Sequence, residues 1–415
     1  MTRLLAGIEP ARPLSYEEHL DVHGVMPRLE GPAIVDLADR AGILGRGGAG
    51  FPMARKLAAV ASRRGAKVVV ANGVESEPMS AKDGVLLSRA PHLVLDGVNA
   101  AAAAVGARQA IICLSGDALA AQAAVHAAIR ERERRDRVNV RVATVPSHYL
   151  AGEETALVQH LNGGPLKPMF VPPRPFERGV GRRPTLIQNV ETLADLALAV
   201  RHGPRWFREL GRSSAPGTML VTVSGALRRL GVIEVPGGTP LDELLARAGG
   251  LVQPLGSIII GGYFGAWLSA DVALGLALDN DELRRHGAAL GAGVVVVMPE
   301  SACGVAELAR VVSWLAAQSA RQCGPCANGL PAIAGALGRI ASGHAEPGER
   351  EQILRWAGLV RGRGACNHPD GAVRLLTSAI RTLDEDLRDH ERHGPCEACG
   401  RPPVLITPES EAIAA

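Results

Sequence analysis

A glycine-rich run is the stretch of this chain best suited to binding chemistry: Gly45, Arg46, Gly47, Gly48, Ala49, Gly50 and Phe51. Backbone N–H groups in so bare a run can converge on an anion, and a flat ring can lie close to the chain. Residues 53–63 are predicted to form a helix, and the positive end of that helix would favour a phosphate group. Taken alone, the run is equally compatible with a tight turn that binds nothing.

The seven cysteines indicate a second kind of chemistry. Two are isolated in apolar surroundings and are predicted to be small core residues, namely Cys113 and Cys303. Five lie in the last quarter of the chain: Cys323 and Cys326 as a CxxC pair, Cys366 alone, and Cys396 and Cys399 as a second CxxC pair. Such clusters indicate metal or redox chemistry more than structural disulfides.

Composition excludes several classes of function. The 415 residues carry 45 basic and 42 acidic side chains, for a formal charge of +3, which gives no reason to expect nucleic acid or an anionic membrane as a partner. No apolar run approaches the roughly 20 residues needed to cross a bilayer, and the first residues lack a signal-peptide pattern. We therefore expect a soluble, cytoplasmic protein.

The elements needed to position these residues begin with alternating strands and helices. Strands are predicted at 67–72, 109–114 and 138–145, and helices at 91–105 and 118–133. This alternation predicts an α/β fold with a parallel sheet, in which ligands bind at the carboxyl ends of the strands. The run Asn72–Glu77 falls at such an end.

Two further regions follow after an extended loop at 163–184. Short strands at 219–223, 231–235, 257–260 and 293–298 around a helix at 241–248 predict a small β-rich domain. Helices at 305–320, 330–340, 349–359 and 371–391 predict a four-helix bundle that carries the cysteines. Between the two regions, the aromatic run Gly261–Trp267 could cover a ligand, dock a partner, or plug the space between domains.

Five local patterns occur in a fixed order: the glycine run with Lys56, then 72–78, 152–157, 184–193, and finally CxxC with a later cysteine. Together they closely resemble the NADH-binding flavoprotein subunit of respiratory complex I and its relatives in hydrogenases and formate dehydrogenases. The resemblance covers about residues 35–385. It implies a Rossmann-like FMN domain, a ubiquitin-like β-grasp insert of the SLBB type, and a C-terminal four-helix iron–sulfur domain.

The domain boundaries predicted on this basis divide the chain into five parts: a lead-in at 1–40, an FMN- and NAD-binding α/β domain at 41–215, an SLBB-like β-grasp domain at 216–300, a helical iron–sulfur domain at 301–392, and a cysteine-containing tail at 393–415.

The resemblance also implies a set of cofactor-binding residues beyond the glycine run. Lys56 adds charge for the phosphate of FMN, and the polar residues at the strand ends would bind the ribityl chain or the ring edge. Acidic residues would contact the flavin or the nucleotide, because hydride transfer to flavin needs no general base. The predicted set comprises Lys56, Asn72, Glu75, Ser76, Glu77, Gly152, Glu153, Glu154, Gln188, Asn189 and Thr192.

The chain departs from the family pattern at the nucleotide site. Val74 replaces an acidic residue near the flavin, and Gln188 replaces an asparagine. Phe51 is kept, but Ala59 and Arg174 fill the other aromatic positions. A guanidinium can still stack on adenine, so either Arg174 takes over this role or NADH no longer binds well.

The cluster motif departs as well, because Ala320 occupies the position of the first family cysteine. Cys323, Cys326 and Cys366 fill the other three positions. A [4Fe–4S] cluster then needs a fourth ligand from Cys396, Cys399, His368 or water, whereas a [3Fe–4S] centre needs only three. Alternatively, the tail pair binds zinc together with the first pair, or no metal is held.

The resulting hypothesis is an NADH dehydrogenase-like oxidoreductase. Electrons would pass from NADH or NADPH through FMN to the iron–sulfur centre, and then to a ferredoxin or a partner redox subunit. One alternative is an FMN and iron–sulfur subunit that no longer uses nicotinamide, and another is a structural subunit without cofactors. The sequence identifies neither the electron acceptor nor the oligomeric state.

Overall fold

The first domain is built on a parallel four-stranded sheet. A computed structural model describes residues 2–8 and 12–408 of the chain. The strands are β1 Val68–Gly73, β2 Gln109–Ser115, β3 Asn139–Val145 and β4 Thr185–Asn189, in the order β3-β2-β1-β4. The helices are α1 Tyr16–His23, α2 Gly31–Ala41, α3 Met53–Ala61, α4 Lys82–Arg89, α5 Pro91–Val105, α6 Leu119–Arg132, α7 Glu154–Leu161 and α8 Val190–Arg208.

Apolar, β-branched strands explain why this sheet is buried on both faces. Successive side chains of β1 point to opposite sides, so Val69 and Ala71 join the core under α5 and α8, while Val68 and Val70 join the core on the α7 side. The predicted α/β sheet is confirmed, and the predicted helix at 91–105 matches α5. The sequence analysis did not identify β4 or α8, which together form one wall of the site described below.

The second domain is a mixed five-stranded sheet, in the order β10-β9-β11-β7-β8. Its strands are β7 Thr218–Gly225, β8 Gly231–Pro236, β9 Leu255–Ile260, β10 Ala266–Ser269 and β11 Val294–Pro299, and the short pair β5 Gly211–Arg212 and β6 Ala215–Pro216 precedes them. Its helices are α9 Leu241–Arg247, α10 Ala270–Leu274 and α11 Asn280–Arg285. Strand β10 was not predicted, since it lies within the aromatic run interpreted as a loop.

The third domain is helical, with α12 Gly304–Ala317, α13 Leu330–Ser342, α14 Glu349–Val360, α15 His368–Thr382 and α16 Asp384–His393. The helix predicted at 371–391 is divided into α15 and α16 at Leu383. The helix predicted at 305–320 ends earlier, at Ala317, so the first CxxC pair lies beyond it and runs into a π-helical turn at Pro325–Gly329.

An aromatic plug joins the three domains. Tyr263 and Trp267 of the second domain are fully buried. The ring of Tyr149, from the first domain, contacts Phe264 edge-on at a centroid distance of 4.8 Å and Trp314 of α12 at 5.1 Å. The aromatic run 261–267 therefore acts as an interdomain plug. Among the described residues, no helix is long and apolar enough to cross a membrane.

Candidate functional site

The carboxyl ends of β1 and β4 form the centre of the site. The strand order reverses here, because β2 and β3 extend to one side of β1 while β4 lies on its other side. Such a reversal leaves a crevice at the strand ends in which ligands bind. Asn72 lies opposite Asn189, and Ala71 lies opposite Gln188. Three predicted residues from two distant motifs therefore meet at one edge.

The glycine loop, residues 45–51, borders this crevice. The Gly45 N–H donates to the Phe51 carbonyl oxygen at 2.9 Å, and the Arg46 N–H donates to Thr192 Oγ1 at 2.8 Å, which holds the loop against the start of α8. A Cβ on Gly47 would lie 3.4 Å from Asn189 Cβ. The missing side chain of Gly47 therefore leaves space above the strand ends, as a closely approaching ring requires.

The Arg46 side chain has partners away from this space. Its Nε lies 3.3 Å from Asp195 Oδ2, and its Nη2 donates to the Thr218 carbonyl oxygen at 2.9 Å. The sequence analysis placed Arg46 among the cofactor-binding residues. In the structure its buried guanidinium instead joins the first domain to β7, so its backbone is the part that belongs to the loop.

Lys56 and Glu154 are the charged pair at the mouth of the crevice. Lys56 Nζ lies 3.4 Å from both Glu154 Oε2 and the Ile187 carbonyl oxygen. About a third of each side chain is exposed to solvent. A pair at this distance and exposure is weakly held, so the ammonium group remains available to a phosphate.

Asn72, Ser76 and Gly152 pack together on the β1 side. Asn72 Nδ2 donates to the Gly152 carbonyl oxygen at 2.9 Å, and a Cβ on Gly152 would lie 3.1 Å from Ser76 Oγ. The glycine therefore allows the 152–157 motif to approach the loop that follows β1.

Gln188, Asn189 and Thr192 line the β4 side. Asn189 begins α8 as its N-cap, since its Oδ1 accepts the Glu191 N–H at 3.0 Å. Gln188 is buried, and its Nε2 has no hydrogen-bond partner among the described residues. A buried donor without an acceptor costs about 1–3 kcal/mol, and a ligand oxygen at the strand end would remove that cost.

Two of the predicted acidic residues cap helices. Glu75 accepts the backbone N–H groups of Asp83 at 3.1 Å and Gly84 at 2.8 Å, at the start of α4. Glu153 accepts those of Thr155 at 2.9 Å and Ala156 at 2.8 Å, at the start of α7. Burial raises the pKa of Glu153. Carboxylates are favoured at both places because helix N-termini present unpaired N–H groups.

Glu77 is buried against the aromatic plug. Its Oε2 accepts the Tyr149 hydroxyl at 3.0 Å and the Tyr263 N–H at 2.9 Å, while its Oε1 has no partner among the described residues. Burial raises the pKa of Glu77 to about 7. The resemblance assigned this residue to the dinucleotide, but in the structure it connects the loop after β1 to the second domain.

A buried charge network beneath the glycine loop was missed by the sequence analysis. Lys82 Nζ contacts Glu191 Oε2 at 2.7 Å and Asp83 Oδ1 at 2.8 Å, and Glu191 Oε1 accepts the Leu220 N–H at 2.8 Å. The network joins α4, α8 and β7. Isolated Lys, Asp and Glu residues resemble solvated side chains in a sequence, so no local pattern could have indicated it.

The three predicted cluster ligands belong to the helical domain. Cys326 is buried in the π-helical turn, and Cys323 and Cys366 are half-buried. Burial, with the neighbouring thiols of Cys323 and Cys366, raises the pKa of Cys326 to about 12. Burial also raises the pKa of Cys366, while the backbone N–H of His368 acts in the opposite direction. The three thiols therefore face one another.

Known families match three successive parts of the chain. The Nuo51 FMN-binding domain matches residues 38–198, the SLBB domain matches 220–259, and the NADH-ubiquinone oxidoreductase-F iron–sulfur binding region matches 306–390. The second F-type chain of the NADH-quinone oxidoreductase of Rhizobium meliloti is 32% identical over 377 residues, which cover 88% of this chain and 90% of the relative. The chain belongs to the F-type family of NADH-quinone oxidoreductase subunits.

Other members and structures agree with this assignment. The F-type chain of the NADH-quinone oxidoreductase of Aquifex aeolicus is 31% identical over 373 residues, covering 86% of each chain. The crystal structure of an NAD+-reducing [NiFe]-hydrogenase in its air-oxidised state superimposes with a TM-score of 0.82 at 30% identity. That match covers 87% of this chain and 63% of the hydrogenase chain, so the chain spans less than two thirds of that protein.

The residues present fit the FMN expected in this family. The glycine loop leaves bare backbone over the strand ends, Gln188 supplies an unpaired donor, and α8 begins at the same edge. The FMN-binding match spans the loop and both strands.

The residues also fit an iron–sulfur centre at three positions. Cys323, Cys326 and Cys366 all lie within the iron–sulfur binding match. Two of the three protein side chains considered for the fourth position lie elsewhere, because Cys396 and Cys399 group with Cys303 and His390. His368 remains: its Nε2 bonds the Leu315 carbonyl oxygen at 2.8 Å, and its buried Nδ1 has no partner among the described residues.

An exposed aromatic ring was also missed. Phe170 is 80% exposed, and the preceding N–H, of Met169, donates to Thr155 Oγ1 at 2.9 Å, next to Glu154. Phe51 of the glycine loop is 40% exposed. The signal in the sequence was the scarcity of phenylalanine, of which the chain has five.

Proposed function

We propose that this chain oxidises NADH as the flavoprotein subunit of a larger redox complex. Bound FMN would accept a hydride from the nicotinamide and release its electrons singly to the iron–sulfur centre. The observation that carries the proposal is the crevice between β1 and β4, where bare backbone, an unpaired Gln188 amide and a helix N-terminus meet.

The residues around the crevice divide the work of binding. Lys56 would neutralise the FMN phosphate, and Asn72, Ser76, Gln188 and Asn189 would orient the ribityl chain and the ring edge. Residues that already cap helices or join domains would hold this frame in place, which assigns a positioning role to Arg46, Glu75, Glu77, Glu153 and Thr192.

Two exposed rings are suited to the nucleotide. Phe51 and Phe170 each present an aromatic face at the borders of the crevice, on the glycine loop and on the loop beside α7. Aromatic faces stack on adenine, and exposed phenylalanines are otherwise unfavourable in water. We assign the lost aromatic function at Ala59 to Phe170, since Arg174 lies in an exposed loop and its N–H bonds Glu177.

The iron–sulfur centre would be held by Cys323, Cys326 and Cys366. Either His368 Nδ1 or water completes a [4Fe–4S] cluster, or the centre is of the [3Fe–4S] type. The acceptor would be a ferredoxin or a partner redox subunit, because the relatives are named as parts of larger oxidoreductases. A cytoplasmic location, with attachment to a membrane complex as one form of it, is part of this proposal.

Anaerobic spectroscopy tests the proposal. The protein is purified under argon, and optical and EPR spectra are recorded with and without NADH or NADPH. Prompt bleaching of bound flavin and a new EPR signal after NADH are expected. Failure of both nucleotides to bleach the flavin would rule out nicotinamide as donor, and a colourless protein would rule out both cofactors.

A matched pair of variants locates the flavin. Lys56→Met should weaken FMN binding roughly tenfold, the effect of losing about 1.4 kcal/mol of phosphate interaction. Lys67→Met is the control, because Lys67 Nζ bonds only the Ala61 carbonyl oxygen in the hydrogen bonds described and lies on the amino-end side of β1. Equal FMN affinity in both variants would contradict the assigned position.

A further inference from the structure

A second group of sulfur ligands lies apart from the three cluster thiols. It consists of Cys303, His390, Cys396 and Cys399, whose ligand atoms all lie within 4.8 Å of one another. Cys303 is the N-cap of α12, His390 lies in the last turn of α16, and the other two belong to the short turn that follows α16. The sequence analysis treated Cys303 as a core residue and paired the tail cysteines with Cys323 and Cys326.

The separations within this group match the edges of a small tetrahedron. Cys303 Sγ lies 3.4 Å from His390 Nε2 and 3.4 Å from Cys399 Sγ. Cys399 Sγ lies 3.7 Å from Cys396 Sγ and 3.9 Å from His390 Nε2. Tetrahedral zinc with three sulfur ligands and one nitrogen ligand places the ligand atoms roughly 3.6–3.8 Å apart.

Single-ion geometry separates this group from an iron–sulfur site. Thiolates that hold a cluster bind different irons, so their sulfurs stand further apart than around one ion. Within residues 2–8 and 12–408, Cys323, Cys326 and Cys366 do not meet the 4.8 Å criterion, whereas the second group does. All seven cysteines are free thiols, so disulfides do not explain the approach of these sulfurs.

The second group anchors a strap, defined here as residues 400–408, which crosses α12. Glu307 accepts the Val404 N–H at 2.7 Å, and Arg310 donates to the Leu405 carbonyl oxygen at 2.6 Å. Leu405 is fully buried. The strap therefore packs on the helical domain from its anchor onward.

The far end of the strap reaches the loop after β1. Tyr263 Oη donates to the Ile406 carbonyl oxygen at 2.6 Å, and the Ile406 N–H lies 3.4 Å from Met79 Sδ. Tyr263 also donates its N–H to Glu77 at 2.9 Å. A chain of direct contacts thus runs from the second cysteine group to the loop that carries Ser76 and Glu77.

We propose that Cys303, His390, Cys396 and Cys399 bind one structural Zn²⁺ ion, and that this ion fastens the strap against the aromatic plug and the loop after β1. Three thiolates and one imidazole are a ligand set typical of closed zinc sites. With all four positions supplied by the protein, the ion has no open position for a substrate, so its contribution is to stability. The proposal stands independently of NADH oxidation.

Metal analysis of the full-length holoprotein tests the site. Protein produced without added zinc should contain about one zinc ion per chain, together with its iron. Cys396→Ser and Cys399→Ser should lose most of the zinc and keep the iron and FMN. Cys113→Ala serves as the control, because Cys113 is fully buried in β2 and should leave both metals unchanged.

Hydrogen exchange tests the role of the ion. In Cys396→Ser, which changes an exposed side chain, the amides of 404–406 should exchange at least about tenfold faster than in wild type, while those of β1 stay protected. Wild-type protein without zinc, or loss of iron instead of zinc in the tail variants, would overturn the site. Loss of zinc with unchanged exchange at 404–406 would overturn its role in holding the strap.

Discussion

At the scale of single residues, burial decides what each carboxyl group does. Glu154 is partly exposed and faces Lys56, so it remains charged and available. Glu77 lies five residues beyond Asn72 in the same motif, yet it is sealed under the plug with one oxygen unpaired among the described residues. A neutral carboxylic acid suits that place better than a carboxylate, because desolvation penalises charge.

Glu77→Gln should therefore change the pH dependence of stability. Between pH 4.5 and about 7, folded Glu77 keeps a proton that the unfolded chain has released, so the free energy of unfolding falls as pH rises through this window. Glutamine removes this loss, so the variant should gain up to about 3 kcal/mol over wild type between pH 5 and pH 8. Urea unfolding at both pH values measures it.

The exposed pair of Glu243 with Arg247 provides the control for this prediction. Glu243→Gln removes a carboxylate of the same kind from the surface of α9 and should shift the two urea curves by less than about 0.5 kcal/mol. If Glu77→Gln and wild type change in parallel with pH, Glu77 is ionised in the folded protein.

Cysteine substitutions test the cluster ligands at the same scale. Cys326→Ala should abolish the EPR signal of the iron–sulfur centre and lower bound iron, because a buried thiolate ligand is lost. Cys399→Ala should leave both unchanged, since Cys399 belongs to the second cysteine group. Iron analysis and EPR of the dithionite-reduced proteins provide the readout, and an unchanged signal in Cys326→Ala would refute the ligand set.

At the scale of elements, the site depends on how a loop meets a strand–helix corner. The glycine loop is held by its bond to Thr192, and the corner between β4 and α8 is fixed by the Asn189 cap. Because Gly47 faces Asn189, a side chain at this position would project between the two elements.

Gly47→Ala should therefore affect binding more than folding. The φ of Gly47 lies outside the left-handed region, so alanine brings no backbone strain, and its methyl would stand 3.4 Å from Asn189 Cβ. We expect FMN affinity to fall roughly tenfold or more, the effect of overpacking by about 1–3 kcal/mol, while the melting temperature of the apoprotein stays the same. Fluorescence titration with FMN measures the affinity.

Gly338→Ala is the matched control for the added methyl. Gly338 lies in α13, where a Cβ would meet nothing within 4 Å, so alanine should leave FMN binding unchanged and slightly stabilise the helix. Unchanged FMN affinity in Gly47→Ala would show that the flavin lies away from the glycine loop.

At the scale of the whole molecule, buried polar contacts join the domains. Glu191 receives Lys82 from the first domain and the Leu220 N–H from the second. Glu234 of β8 accepts the N–H groups of Arg3, Leu4 and Leu5 near the start of the chain. The binding crevice thus depends on residues that lie far from it in sequence.

Glu191→Ala should destabilise the whole protein by about 3 kcal/mol or more, because it leaves the buried Lys82 ammonium and the Leu220 N–H without their shared partner. Glu243→Ala, which breaks an exposed pair, should cost less than about 0.5 kcal/mol. Denaturant unfolding of both variants gives the comparison. A loss below about 1 kcal/mol for Glu191→Ala would mean that water enters and solvates the network.

The sequence alone determined the α/β class, the order of the three domains and the edge at which the glycine loop, Asn72 and Gln188 meet. These are local properties: apolar periodicity specifies strands and helices, and motifs at the ends of parallel strands converge on one edge. The same reasoning selected Cys323, Cys326 and Cys366 by their spacing and by the family they resemble.

Only the tertiary structure decided which polar residues hold the frame and which remain free for a ligand. Glu75 and Glu153 are taken up by helix starts, and Glu77 by the plug. Cys303 and Cys399 meet although 96 residues separate them. The spacing of a motif carries no information about contacts over such distances, because they arise only when helices and sheets pack against one another.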